Sequence, residues 1–155
     1  MDNSRRDFVN AGSLLAALIA VGSKAADLAQ SPSHQWNQAA FEAQTVADAL
    51  KSLGIPVAQG GGEVNLTVPE IAEDGAVVPV IVRCRAAGTR ELHILVDKNP
   101  FSLAASFFLP DGTDAFVSTR IRMNETSNVI VLAVTDKQTY LARKQIKVTI
   151  GGCGG

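Results

Sequence analysis

From Val64 to Ile150 apolar residues recur at every second position, in short runs cut by turn-forming residues. Val64, Leu66 and Val68 alternate with Asn65 and Thr67, followed by Val78, Val80 and Val82, and by Leu92, Ile94 and Val96. Leu103, Ala105, Phe107 and Leu109 come next, then Ile121 and Met123, then Ile130, Leu132 and Val134, and last Ile146, Val148 and Ile150. A period of two places alternate side chains on one face of an extended strand, so each run reads as a half-buried strand. Glu73-Asp74-Gly75, Asp97-Lys98-Asn99-Pro100 and Asp111-Gly112-Thr113 are turn signals between them. Seven such strands with no helix between them predict an all-β, immunoglobulin-like antiparallel β-sandwich over residues 63–150.

Upstream the period changes. Trp36, Ala40, Ala43, Ala47 and Leu50 share one face at helical spacing between Ser33 and Gly54, with Gly54-Ile55-Pro56 as a stop. This predicts an N-terminal amphipathic helix, joined to the sandwich by a flexible Gln59-Gly60-Gly61-Gly62 segment. Residues 26–62 are therefore read as helix plus joint.

Ser4-Arg5-Arg6-Asp7-Phe8-Val9 resembles the twin-arginine export signal, and an Ala- and Leu-rich stretch from Ala11 to Gly22 follows it. Twelve or so apolar residues are too few for a stable membrane anchor, and the stretch lacks the polar face of an amphipathic helix. Residues 1–25 are read as a cleavable signal, with small residues Ser23 and Ala25 at the cleavage positions and Ala26 and Ala29 as alternatives. Arg5 and Arg6 would carry the export function, and the mature protein would be periplasmic.

Removing those 25 residues takes three basic and two acidic side chains from totals of 14 and 15, leaving a net charge of −2. With no basic run, one Trp and one Tyr, the chain has neither the electrostatic footprint nor the stacking platform of a nucleic-acid binder. Cys84 continues the face of Val80 and Val82 and reads as a small core hydrophobe. His34 and His93 stand at no metal-ligand spacing with either cysteine, and no metal site is assigned.

The chain ends Gly151-Gly152-Cys153-Gly154-Gly155. Glycine packs nothing and costs most to order, so a flexible, exposed arm over 151–155 is expected, with Gly151, Gly152, Gly154 and Gly155 supplying flexibility and slimness. The tail offers no neighbouring base to make thiolate and no donors for an oxyanion. Cys153 therefore reads as an attachment point whose chemistry other proteins supply, rather than as a catalytic residue. The alternatives are a structural or intermolecular disulfide in an exported binding module, a disulfide to Cys84, or a carrier of a different cargo.

Val148-Thr149-Ile150-Gly151-Gly152-Cys153-Gly154-Gly155, preceded by Lys147, resembles the C-terminal signature of SoxY, the sulfur-carrier subunit family of periplasmic thiosulfate oxidation. Further blocks are similar. Ile71 to Ala76 with Val78-Pro79-Val80 looks like the family's first hairpin region, and Asn99-Pro100, Thr119 to Arg122 and Asn128 to Ile130 look like later blocks. The resemblance implies covalent sulfur attachment at Cys153, first as thiosulfonate and then as persulfide. It implies a SoxZ-like partner subunit and the enzymes SoxXA, SoxB and, where present, SoxCD. Haem, metal and molybdenum cofactors would belong to those partners, and this chain would bind none.

Overall fold

The computed structural model describes residues 36–55 and 58–149, a β-sandwich with a helical layer on one sheet. The helical segment is two short helices, α1 (Gln38–Phe41) and α2 (Val46–Leu53), where one continuous helix was expected. The break lies at Thr45, whose extended backbone and hydroxyl cap α2 by accepting from Asp48 N at 3.1 Å. The carbonyls exposed in the break are used: Ala43 O accepts from Ser102 N at 2.8 Å, and Gln44 O accepts from Ser102 Oγ at 3.0 Å. Asn37 caps α1 and also donates to Ser52 O at 2.8 Å, tying the two helices together. Two faces of the expected helix change accordingly. Ala40, Ala43 and Ala49 are buried, whereas Ala47 is exposed and Trp36 stacks on Phe41 at the surface, with ring centroids 4.2 Å apart.

Nine strands follow. β1 (Ala58–Gly60), β2 (Val64–Thr67), β3 (Ile71–Ala72), β4 (Val78–Cys84) and β5 (Thr89–Val96) form the first half. β6 (Leu103–Phe108), β7 (Phe116–Ile121), β8 (Ser127–Thr135) and β9 (Thr139–Val148) complete it. The larger sheet runs β1-β9-β8-β5-β6, with β3 also on β9, and the smaller runs β2-β4-β7. Each of the seven long strands contains at least part of one run of alternation, β7 only through Ile121 and β9 only from Ile146 onward, and their pairings are antiparallel. β1 and β3 are short parallel additions to β9 that alternation does not mark. Part of the expected Gly-rich joint is thus a paired strand, Ala58–Gly60 against Thr139–Leu141.

The core between the sheets packs Val78, Val80, Val82 and Cys84 against Leu92, Ile94, Val96, Val129, Val131 and Ile146. A second core forms on the other face of the larger sheet, where Leu95, Leu103, Ile130 and Leu132 meet Ala40, Ala49 and Ile55. β8 is consequently buried on both faces from Val129 to Ala133. The alternation read on Ile130, Leu132 and Val134 marks its helix-facing side, and Val129, Val131 and Ala133 fill the sandwich.

His93 lies on that helix-facing side and is wholly buried, although sequence spacing marked it as incidental. Its Nδ1 is 2.9 Å from Ser106 Oγ, and its Nε2 is 3.0 Å from Glu91 Oε2 but out of line for a hydrogen bond. Burial pushes the imidazole pKa below its ordinary value, and the Glu91 carboxylate only partly offsets this. Between the lowered folded-state pKa and the unfolded value of about 6.5, the unfolded chain binds a proton that the folded ring does not.

Two stability outcomes follow from this packing. Stability falls as pH drops below about 6.5 and levels off below the folded-state pKa. Urea midpoints at about pH 7.5 and about pH 5.5 will differ less in His93→Gln than in the parent, because the titrating ring is gone. Leu132→Ala, which hollows the interface between helices and sheet, costs about 2–5 kcal/mol in the same assay.

Candidate functional site

Residues 150–155, with Cys153 and its four glycines, lie outside the described residues, as do Arg5 and Arg6. What the structure describes is the root from which that segment continues. β9 pairs with β8 along one edge from Thr139 to Ile146, and on the other edge with β1 at its start and with β3 at Lys147 and Val148. At its end Lys147 N donates to Glu70 O at 2.9 Å and Thr149 N donates to Ala72 O at 3.0 Å, continuing the parallel β3–β9 ladder.

The opposite edge needs a different solution, because the β8 pairing ends where Ser127 meets Ile146. Beyond that point Val148 N would lack a partner. The Thr126 hydroxyl takes over, accepting from Val148 N at 3.0 Å. The strand is thereby held on one side through Val148 and on the other through Thr149, which stands four residues before Cys153. Four residues span at most ~14 Å at 3.3–3.6 Å each.

Gly75 closes the root from below. A Cβ there would stand 2.4 Å from Met123 O and 3.0 Å from Val148 Cγ1, and Met123 N donates to Gly75 O at 2.7 Å. The glycine is needed for close approach between the turn Gly75–Val77, the end of β7 and the end of β9. Here the structure corrects the expected hairpin: Ile71–Ala72 pairs with β9 in one sheet, while Val78–Val80 belongs to the other. Glu73-Asp74-Gly75 is a crossing between sheets, and a turn signal alone cannot distinguish the two.

Cys84 sits at the far end of β4 from this root, in the core as expected and 8% exposed. Its Sγ lies 3.4 Å from Thr89 Oγ1, whose proton is claimed by Ala86 O at 2.8 Å. Among the described residues it has no disulfide partner and is a packed thiol. Thr126 and Gly75 are the residues that sequence reasoning missed. Gly75 was legible only as a turn residue, and Thr126 carries no signal, since its role depends on where β8 begins.

Fold and root together define an all-β sandwich that presents its C-terminal segment from a doubly anchored strand. The family model for the sulfur oxidation protein SoxY matches residues 50–153, and the chain belongs to that family. The solved structure of the sulfur carrier protein SoxY from Chlorobium limicola f. thiosulfatophilum is similar, with 33% identity and a TM-score of 0.59. The match covers 65% of this chain and 92% of that one. Comparison with curated proteins finds no match.

Thr126→Val should leave Val148 N without a partner, cost about 1 kcal/mol and speed amide exchange at Val148 selectively. Gly75→Ala should cost about 1–3 kcal/mol, because the displaced atom is backbone and cannot rotate away. Hydrogen exchange and urea unfolding read the two effects separately.

Proposed function

We propose that this protein is a periplasmic covalent carrier of sulfur intermediates, with Cys153 as the attachment point. The observation that carries this reading is the family match itself, whose matched range extends to residue 153. The related structure is that of a sulfur carrier. The anchored root adds a physical reason: a strand held to Thr149 gives the six remaining residues one defined point of departure.

The cycle begins with oxidative attachment. The Cys153 thiolate and thiosulfate lose two electrons to a SoxXA-type haem enzyme, forming one S–S bond and a cysteine S-thiosulfonate. A SoxB-type hydrolase then adds water across the S–SO3 bond, releasing sulfate and two protons and leaving the persulfide. Where a SoxCD-type dehydrogenase is present, it oxidises the remaining sulfane before a second hydrolysis. This chain supplies none of the redox groups. Its contribution is to hold the sulfur covalently, which keeps reactive persulfide from escaping and raises its effective concentration at each enzyme. A SoxZ-like subunit completes the carrier, and twin-arginine export through Arg5 and Arg6 delivers it.

The deciding test is the mass of the tryptic peptide Val148–Gly155 after exposure of the native protein to thiosulfate and purified partner enzymes. An adduct on Cys153 that is removed by reductant supports the reading, and Cys153→Ser should carry none. A peptide found only free or disulfide-linked overturns it in favour of a structural thiol. Gly152→Val should keep the fold yet slow loading about tenfold or more, through lost clearance in a narrow partner cleft.

A further inference from the structure

The two sheets differ in how their outer faces are covered. The helices seal the larger sheet, whereas the outward face of β2-β4-β7 has no layer over it among the described residues. Three opposed pairs cross that open face: Arg83 with Phe116, Ile81 with Ser118, and Pro79 with Arg120. All six side chains are exposed, and β2 adds only Asn65 and Thr67 beside them. No residue of this face is acidic. Among the described residues neither Arg83 nor Arg120 has a carboxylate within ion-pair distance.

Two exposed large apolar side chains lie on the same face. Phe116 is 43% exposed and Ile81 39% exposed, and the Arg83 guanidinium lies over the Phe116 ring at 4.6 Å. Stacking holds the guanidinium in place while leaving its charge unpaired, so little side-chain entropy remains to be lost on binding. Aromatic and arginine side chains grouped on a flat patch are the residue types that dominate binding energy in protein interfaces.

The position of the patch relates it to the arm. Its Pro79–Arg120 end adjoins the turn Gly75–Val77, and that turn is in contact with Met123 and Val148 at the root. A protein seated on the open face would lie beside the departure point of residues 150–155, with Cys153 at most ~14 Å beyond Thr149.

We infer that the outward face of β2-β4-β7 is the docking surface for an acidic protein surface beside the active-site entrance of an enzyme that works on the arm. The inference rests on the carrier reading above. Arg83 and Arg120 supply the charge complementarity, Phe116 and Ile81 supply the apolar contact, and the root sets the distance over which the arm is delivered. Such a face raises encounter rate and lowers KM without entering the chemical step.

The test uses the full chain and the purified haem-containing loading enzyme, reading thiosulfate adduct on Cys153 by mass as the carrier concentration is varied. Parent protein, Arg83→Glu with Arg120→Glu, the neutral Arg83→Gln with Arg120→Gln, and the free peptide Val148–Gly155 are compared. Arg143→Glu with Lys144→Glu on the other sheet is the control for net charge. The charge reversal is expected to raise KM about tenfold or more toward that of the peptide, with kcat retained. The glutamine pair should fall between, and the dependence of KM on salt should weaken in both.

Equal KM values for parent and reversed protein overturn the inference while leaving the carrier reading intact. Loss of association with the SoxZ-like subunit, or a change in self-association seen by size, overturns it by assigning the face to a subunit interface or a second copy. A parent protein that acquires no adduct removes the carrier reading and this inference together.

Discussion

The double-edged pairing of β9 is the constraint on which the rest of the structure depends. One ten-residue strand pairs with β8 along one edge and with β1 and β3 along the other. Ile146 reaches the sandwich core from it, and Leu141 packs with the helix-facing core. Because β9 is also the last strand, the hydrogen bonds that complete the larger sheet also set where the terminal segment begins. The parallel ladder of β3 and the hydroxyl of Thr126 extend that order a few residues past the β8 pairing. Under the function proposed above such a boundary matters, since slack upstream of the glycines would dilute the thiol rather than direct it.

A second asymmetry arises from the helices. Their small residues, Ala40, Ala43 and Ala49, allow close approach to the larger sheet, and Ser102 fastens the break between them. Burial on both faces goes with an apolar run from Val129 to Val134 in β8, and the same layer encloses His93, whose pKa burial lowers against the opposing pull of Glu91. Among the described residues the smaller sheet receives no such layer, and its outer residues are polar, basic or isolated apolar ones. Among the described residues one sheet is thus buried on both faces, while the other has an uncovered face beside the end of β9.

The sandwich was legible because alternation of the kind seen at Val78, Val80 and Val82 depends only on the period of an extended chain. Cys84 was placed correctly by the same rule. The helix was legible as helix, but its division was not. The Thr45-Val46-Ala47-Asp48 capping pattern lies inside a stretch of otherwise continuous helical spacing, and the carbonyls of the break are satisfied by Ser102, 58 residues from Gln44. β1 and β3 were hidden because strands of three and two residues carry no period.

By itself the sequence determined the class of fold, the family and the single cysteine among four terminal glycines, because periodicity and motif are local properties of a chain. Tertiary structure alone decided the rest: that Gly75 must be glycine, that Thr126 replaces a missing strand, and that Arg83 and Phe116 share an open face near the root. The physical reason is that each of these depends on atoms brought together from distant parts of the chain. A Cβ clash with Met123 O, an orphaned Val148 N–H and an uncovered sheet face exist only once the strands have paired.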